Sequence, residues 1–165
     1  MLPHRRDAVT KIRIVEVRTP AELEQAFAIR SAVFVREQGV GEALEFDGLD
    51  DHARHLLALR DGEAVGTLRV RSLDAGRTAK IERVAVVPAA RGSSIGRALV
   101  EAALAMARTE RAEAASLHAQ TAAQGFYAKL GFVAVGREFM EDGIPHIAMR
   151  LSLRPGAAGD RGRLP

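Results

Sequence analysis

Several short stretches of the chain alternate apolar and polar residues, which is the pattern typical of half-buried β-strands. They cover residues 11–18, 54–60, 63–73 and 80–87. Asp61-Gly62 separates two of these stretches and is a dipeptide that favours a tight hairpin turn. The first half of the chain therefore predicts a group of neighbouring strands that includes a hairpin.

Two longer segments carry apolar residues at helical spacing instead. Thr19-Pro20-Ala21-Glu22 combines a capping box with proline at the first helical position, and it predicts a helix that ends near Gly39. The second helix follows a loop of small residues and continues to about Arg111. A short third helix is predicted over residues 121–129.

The remaining strands complete an α/β order. Residues 114–119 predict one strand, and residues 132–139 and 146–153 predict a hairpin across the loop 141–145. The whole order predicts an α/β fold of the mixed α+β kind, with a central and mostly antiparallel sheet. The sheet contains one parallel crossover around the second helix, and helices flank it.

Length and composition predict a single domain. The chain has 165 residues, of which 47% are hydrophobic, enough for one complete core and too few for two comfortable ones. Residues 1–10 and 154–165 are polar, charged or rich in Gly and Pro. We therefore expect flexible tails on either side of one domain at residues 11–153.

The positive charge is concentrated at the two ends of the chain. Residues 1–11 and 154–165 each carry a net charge of +2, and subtracting both from the total of +3 leaves −1 for the residues between them. Binding to a phosphate backbone requires a basic face. The domain itself therefore predicts no nucleic-acid partner, although a nucleic-acid role of the basic tails stays open.

Two absences in the sequence narrow the class of protein. No run of eighteen apolar residues is present and no apolar stretch follows the charged first ten residues, so neither a membrane span nor a signal peptide is predicted. We therefore expect a cytoplasmic protein without a membrane partner.

Cys is absent, which excludes disulfides and thiolate metal ligands, and we predict no metal site. The best side-chain nucleophile for a thioester is missing as well.

The segment 84–100 carries the clearest chemical signal. A β-branched run ends at a proline, a loop with Gly92, Ser93 and Ser94 follows, and a helix begins next to Gly96. Free amides at such a helix start, together with the helix dipole, favour an anion, so the loop predicts a phosphorylated ligand. The alternative is that Ser93 or Ser94 only caps an ordinary helix. Neither the Lys-Ser/Thr of an ATP loop nor G-x-G-x-x-G is present.

Two motifs resemble those of a known family. Arg91-x-x-x-x-Gly96 opens the second helix, and Gly125-Phe126-Tyr127-Ala128-Lys129-Leu130-Gly131-Phe132 follows it. Together with the element order over residues 12–153, they resemble the GNAT superfamily of acetyl-coenzyme A-dependent N-acetyltransferases. Residues 33–38 and 139–146 also resemble a small bacterial subgroup of that superfamily. The resemblance implies transfer of acetyl from acetyl-CoA to a primary amine of a small molecule or peptide.

The resemblance also implies where acetyl-CoA binds. The backbone of one loop would hold the coenzyme diphosphate, the backbone of one strand would bind the pantetheine arm and the thioester carbonyl, and Gln120 stands where relatives often carry Asn toward the coenzyme. Ser94 replaces the usual inner glycine, and if its φ is positive we expect about 1 kcal/mol of strain and weaker coenzyme binding. The loop residues are Arg91, Gly92, Ser93, Ser94, Ile95 and Gly96, and the strand residues are Val84, Ala85 and Val86.

The proton donor implied by the resemblance is Tyr127. Neither Cys nor a G-x-S-x-G nucleophile is present, so the amine would attack the thioester directly. Tyr127 is the only tyrosine and stands where the family often has its general acid, and a phenol with a pKa of about 10 can protonate the departing thiolate. The alternative is that Tyr127 packs beside Phe126 with its hydroxyl bound by the backbone.

Glu82 is the first candidate for the base that deprotonates the amine. By period-two alternation it shares a strand face with Val84 and Val86, at the centre of the predicted sheet. A carboxylate among β-branched neighbours is unusual unless it is paired. The alternative is therefore a salt bridge to Arg69, Arg71 or Lys80.

His118, His146 and Glu37 are the candidate contacts to the acceptor. The two histidines titrate near neutral pH and are the next candidates for the base, with an ordinary packed or surface histidine as the alternative. Glu37 lies in a segment over residues 36–51 that carries a net charge of −5. In the family the corresponding connection walls the acceptor site, and a negative rim would attract a cationic amine. A solvated acidic loop is the alternative.

Other interpretations of the sequence stay open. A catalytically weak CoA-binding sensor or interaction module would keep the same fold, and the serine at position 94 is compatible with that alternative. The sequence determines neither the acceptor nor the oligomeric state, and a homodimer is one of the assemblies that it leaves open.

Overall fold

The computed structural model describes residues 9–155 as one sheet with helices on both faces. Residues 1–8 and 156–165, which make up most of the predicted flexible tails, lie outside the described residues. The helices are α1 (Pro20–Arg30), α2 (Glu42–Glu45), α3 (Ile95–Thr109) and α4 (Gln124–Lys129). The strands are β1 (Ile12–Glu16), β2 (Arg54–Arg60), β3 (Glu63–Leu73), β4 (Thr78–Val86), β5 (Ala114–Gln120), β6 (Val133–Glu141) and β7 (Ile144–Ser152).

The strands of the described region form a single sheet in the order β1-β2-β3-β4-β5-β7-β6. β4 and β5 are parallel, and the other neighbouring strands are antiparallel. α3 connects the two parallel strands, as a right-handed crossover does in most α/β proteins. The predicted fold class, a mostly antiparallel sheet with one parallel crossover and flanking helices, is confirmed.

The first helical segment begins at the capping box and ends near Gly39, as the sequence predicts, but its last turns are π-helical and not α-helical. The amide of Glu22 donates to Thr19 Oγ1 over 3.2 Å, and the Glu22 carboxylate accepts from the Thr19 amide over 3.1 Å. After Arg30 the chain continues as a π-helix over Ser31–Glu37, and Gly39 ends it with a φ of +73°. The π-helix has wider turns than an α-helix, and it places Glu37 and Gln38 toward the centre of the sheet. Their contacts are described below.

Two apolar layers hold the long helices against opposite faces of the sheet. α3 buries Leu99 and Val100 against Leu68 of β3, whereas α1 buries Ile29 against Leu57 of β2. The central strands are therefore covered on both sides, which explains why they are apolar on both faces. No helix within residues 9–155 is long and apolar enough to cross a membrane.

The last hairpin is tighter than predicted. Glu141 pairs with Ile144, so the turn contains only Asp142 and Gly143 and not the whole loop 141–145. Both turn residues have positive φ, +51° and +74°, the conformation that Asp-Gly adopts in two-residue hairpins. The short turn extends β6 as far as Glu141, which brings that carboxylate next to β5 and β7.

Candidate active site

A gap between β4 and β5 lies at the centre of the sheet. The two strands pair only from Thr78–Lys80 to residues 114–116, and beyond that point they separate. β4 also carries a bulge, because two of its residues, Arg83 and Val84, lie opposite a single residue of β3, and Arg83 has a φ of +59°. The edge of β4 that faces β5 therefore has no strand partner over residues 84–86 within the described part of the chain, and it offers backbone groups to a ligand.

The bulge corrects the predicted face of Glu82. Glu82 pairs with Arg69, and Ala85 pairs with Thr67, so Glu82 and Ala85 share one face of the sheet. The extra residue shifts the alternation by one, and Glu82 therefore does not share a face with Val86.

The ion pairs of Glu82 are those of the salt-bridge alternative. Its carboxylate accepts from Arg69 Nε over 2.8 Å and from Arg71 Nε over 2.9 Å, and Lys80 Nζ lies 3.3 Å away. Burial alone would raise the pKa of Glu82, but the hydrogen bonds and charges of Arg71 and Arg69 outweigh it and lower the pKa to about 2. A carboxylate with such a low proton affinity is a poor base for an ammonium, so these contacts favour the salt-bridge alternative for Glu82 over the role of base.

The loop before α3 has the geometry of an anion site. Gly92 and Ser94 have φ values of +81° and +61°, and Ser94 is the N-cap residue but makes no side-chain capping bond. Ser93 Oγ instead donates to the carbonyl of Ala90 over 2.6 Å. The first intrahelical bond joins the Ala98 amide to the Ser94 carbonyl, so the three amides before it precede the hydrogen-bonded helix. The interpretation that Ser93 or Ser94 only caps the helix requires a capping bond from the side chain, and neither serine makes one.

The start of α3 lies close to the free edge of β4. A Cβ atom added at Gly96 would lie 3.9 Å from Val86 and 3.5 Å from the ring of Phe126. Gly96 therefore lies between β4 and α4, the helix that carries Tyr127. The amides of Ile95 and Gly96, the unpaired residues of β4 and Tyr127 are neighbours in space.

Arg91 and Glu37 form an ion pair on the coenzyme side of the gap. The two terminal nitrogens of Arg91 donate to Glu37 over 2.6 and 2.7 Å, and its Nε donates to the carbonyl of Val86 over 3.0 Å. The side-chain hydrogen bond from Arg91 lowers the pKa of Glu37. The pairing favours a structural role for Glu37 at this loop, and its contact with the acceptor stays a prediction.

Gln120 lies at the end of β5, on the other side of the gap. Its amide nitrogen donates to Gln38 Oε1 over 2.8 Å. Because Glu37 and Gln38 are consecutive, the end of the first helical segment contacts the loop after β4 and the end of β5 at once. The segment with Glu37 and Gln38 thus spans the opening between β4 and β5.

Tyr127 is buried in α4 beside the gap. Its ring makes edge contacts with Phe126 and Phe132, at centroid distances of 4.9 and 6.0 Å. Burial raises the pKa of Tyr127 to about 12, so the hydroxyl stays protonated. The ring packs as the alternative interpretation states, but within residues 9–155 the hydroxyl has no hydrogen-bond partner, and Tyr127 lines the central cavity.

That cavity lies between the separated strands and has a volume of about 190 Å³. Its lining includes Val84, Gln120, Tyr127, His118 and His146. The structure therefore brings both predicted histidines to one cavity with the predicted acid. No group of three or more His, Asp and Glu within the described part of the chain is arranged to hold a metal ion.

Glu141 is the residue of this cavity that sequence reasoning missed. Its two oxygens lie 3.0 Å from His118 Nδ1 and 3.6 Å from His146 Nε2. The strand pairings place all three side chains on one face, because Phe139 pairs with His146 and His146 pairs with Gln120. A correct assignment of the Asp-Gly turn, together with the strand order, would have found this contact.

The acidic segment between α1 and β2 is neutralised by arginines. Arg30 and Arg69 are each 1% exposed, and they bind the carboxylates of Glu45, Asp47 and Asp50 over 2.6 to 3.0 Å. The charges of Glu45, Asp47 and Asp50 are therefore paired within the protein. Glu42 and Asp51 are exposed, so for them the negative rim and its alternative, a solvated loop, stay predictions. Glu45 lines the cavity, so these ion pairs form an ionic wall beside it.

The arrangement of strand gap, helix start and buried tyrosine matches that of an acyltransferase, and comparisons with known proteins agree. Residues 18–153 match the acetyltransferase (GNAT) domain family. The YyaT protein of Bacillus subtilis is 39% identical over 141 residues, which cover 84% of this chain and 94% of YyaT. The chain belongs to the GNAT family of acetyltransferases.

Solved structures agree with this assignment. The crystal structure of an acyl-CoA N-acyltransferase from Pseudomonas aeruginosa is 36% identical to this chain, with a TM-score of 0.73 over 85% of this chain and 98% of the other. An aminoglycoside 6'-N-acetyltransferase, solved in complex with coenzyme A, has a TM-score of 0.71 over 87% of this chain and 98% of its own. At 15% identity this second likeness shows the fold alone.

Proposed function

We propose that this protein transfers acetyl from acetyl-CoA directly to a primary amine of a small molecule or peptide. The observation that carries the proposal is the gap between β4 and β5, with free helix amides at one end and a cavity lined by Tyr127 at the other. A long, bent co-substrate with an anionic end and a reactive thioester fits such a path. The cytoplasm, where acetyl-CoA is available, is the proposed location.

The anionic end of the coenzyme would bind at the start of α3. The amides of Ile95 and Gly96 are free of helix bonds, and positive φ values at Gly92 and Ser94 turn the loop backbone around the same point. These donors and the helix dipole stabilise a diphosphate. Arg91 would support the loop through Val86 and Glu37 instead of acting as a free cation. The family and the CoA-bound fold relative support this placement.

The thioester would lie along the free edge of β4. A backbone amide of residues 84–86 that has no strand partner can donate to the carbonyl oxygen and stabilise the negative charge that develops there. The neutral amine adds to the carbonyl carbon, a C–N bond forms, and the C–S bond of the tetrahedral intermediate then breaks. The thiolate takes the hydroxyl proton of Tyr127, and the proton left on the new amide nitrogen returns to the phenolate.

Enzyme assays separate this function from that of a CoA-binding sensor. We expect acetyl-CoA with a panel of amines, namely benzylamine, spermidine and a lysine-containing peptide, to release free thiol at a rate that rises with amine concentration. Calorimetry with CoA is the companion measurement. Coenzyme binding without amine-dependent thiol release from any of the three would favour the sensor, and the absence of both would remove the proposal.

A further inference from the structure

The acceptor side of the cavity contains a His–Glu hydrogen bond with a second histidine beside it, and the proposed transfer does not yet use these three side chains. His118, Glu141 and His146 come from three adjacent strands, and all line the cavity beside Tyr127. Phe139 packs against both histidine rings, edge-on to His118 at 5.0 Å and stacked on His146 at 6.1 Å. The two rings are therefore held by aromatic packing and by a shared carboxylate.

The partners of His146 fix its tautomer. Its Nδ1 lies 2.7 Å from the carbonyl oxygen of Ile144, which can only accept, so Nδ1 carries a proton. Its Nε2 faces Glu141 at 3.6 Å, and the side chain is 10% exposed. In the neutral ring the lone pair is therefore on Nε2, where it faces Glu141 and not a molecule in the cavity.

The partners of His118 leave one nitrogen free. Its Nδ1 lies 3.0 Å from Glu141 Oε1, and a carboxylate can only accept, so Nδ1 donates and the lone pair of the neutral ring is on Nε2. Nε2 has no hydrogen-bond partner within residues 9–155, and about a third of the side chain is exposed. His118 can therefore accept a proton from a molecule in the cavity.

The other charged groups around the cavity are largely paired with one another. Lys80 lies 3.3 Å from Glu82, and Arg83 lies 3.1 Å from Glu45. Glu141 is therefore the ionised group in direct contact with His118. The titratable groups that face the cavity from the surrounding elements are Glu45 of α2, Lys80, Glu82 and Arg83 of β4, Tyr127 of α4, Glu141 of β6, Asp142 of the turn and His146 of β7.

We propose that His118 is the general base of the acetyl transfer and that Glu141 is its positioning residue. The substituted ammonium gives one proton to His118 Nε2, which releases it to solvent after the reaction, and the neutral amine attacks the thioester. Glu141 holds the ring and stabilises the imidazolium through Nδ1, and His146 lies beside the second oxygen of Glu141. The inference rests on the proposed function, whose first step it supplies.

The first test is the pH profile of kcat/KM for the best amine of the panel. We expect His118→Asn to lower this value about 100-fold near neutral pH with unchanged CoA binding, and we expect the loss to shrink toward the pKa of the amine, where no base is needed. The matched control is His52→Asn, because His52 is exposed and remote from the cavity. Equal profiles for wild type and His118→Asn would overturn the proposal.

The second test includes a measurement that does not depend on the acceptor. In NMR spectra of the histidine ring nitrogens, neutral His118 should carry its proton on Nδ1 in the wild type, and Glu141→Ala should remove this preference, because the carboxylate that accepts from Nδ1 is lost. Glu141→Ala should also lower kcat/KM for the amine with unchanged CoA binding. An unchanged His118 tautomer together with unchanged kcat/KM would overturn the role of Glu141. If the wild-type protein releases no thiol with any amine, the proposed function itself fails. An active wild-type protein whose activity does not depend on His118 would instead contradict only the role of His118.

Discussion

The proposed coenzyme loop and the proposed acceptor side are built in different ways. The coenzyme loop consists of consecutive residues, 91–96, and it uses backbone amides with few side-chain bonds. The acceptor side consists of side chains that are far apart in the sequence, such as His118 and Glu141, and Arg69 and Asp47. The first region therefore depends on local conformation, and the second depends on the tertiary structure. Substitutions that affect only the local conformation, or only the tertiary contacts, test this comparison.

The largest effect is expected in the ionic wall of the acceptor side. Arg69→Met leaves Asp47, Asp50 and Glu82 without their shared cation, and breaking a buried ion pair in this way costs about 3–5 kcal/mol. Urea denaturation measures the loss. Arg71→Met is the matched control, because Arg71 pairs with Glu82 alone, and its loss should be clearly smaller. Equal losses would mean that the network does not act as a unit.

The same wall should make stability depend on pH. The pKa of Glu82 is lowered to about 2 in the folded protein, below its unfolded value, so its contribution is present above pH 4.5 and is lost as the pH falls toward 2. The shift corresponds to about 3 kcal/mol. Unfolding measured at a series of pH values should show that the advantage of wild type over Glu82→Gln disappears over this range. A constant difference between the two proteins would contradict the ion-pair account of Glu82.

Tyr127 lies where the two regions meet, and its substitution should affect chemistry alone. We expect Tyr127→Phe to lower kcat about 100-fold, because the proton for the thiolate is missing, with an unchanged KM for acetyl-CoA. The ring contacts with Phe126 and Phe132 are kept in this variant. Thiol release measured across the pH range checks it, and an unchanged kcat would discard the acid role.

The smallest effects are expected in the coenzyme loop, where two neighbouring serines form a matched pair. Ser94→Gly removes the strain of a left-handed conformation, worth about 1 kcal/mol, and should raise Tm by a few degrees and lower the KM for acetyl-CoA. Ser93→Gly loses the hydrogen bond to Ala90, also worth about 1 kcal/mol, and should lower Tm. Changes of the same sign in both variants would contradict the assigned geometry.

Local signals explain why most of the fold could be predicted. The Asp61-Gly62 turn, the capping box at Thr19 and the loop before α3 each specify conformation over a few residues. The element order then limits the topology to a mostly antiparallel sheet with one crossover. The π-helix over Ser31–Glu37 carries no such signal, and the alternation in β4 conceals its bulge.

The acceptor side could be predicted only in part, because its contacts need the strand order. His118 and His146 were found by their chemistry, but the carboxylate between them comes from a third strand. The sequence offered a salt bridge as one alternative for Glu82 and gave no sign of the partner of Glu37, since the arginine partners lie 11 to 54 residues away. Charge pairing over such distances is decided by tertiary structure.

The central claim is that the backbone around residues 91–96 binds the diphosphate of a coenzyme A thioester. Calorimetric titration of the protein with CoA, and in parallel with pantetheine, which lacks the diphosphate, tests it most directly. The account predicts saturable binding of one CoA per chain and a large loss of affinity for pantetheine. Absence of CoA binding at millimolar concentration, or equal affinity for both compounds, would contradict it.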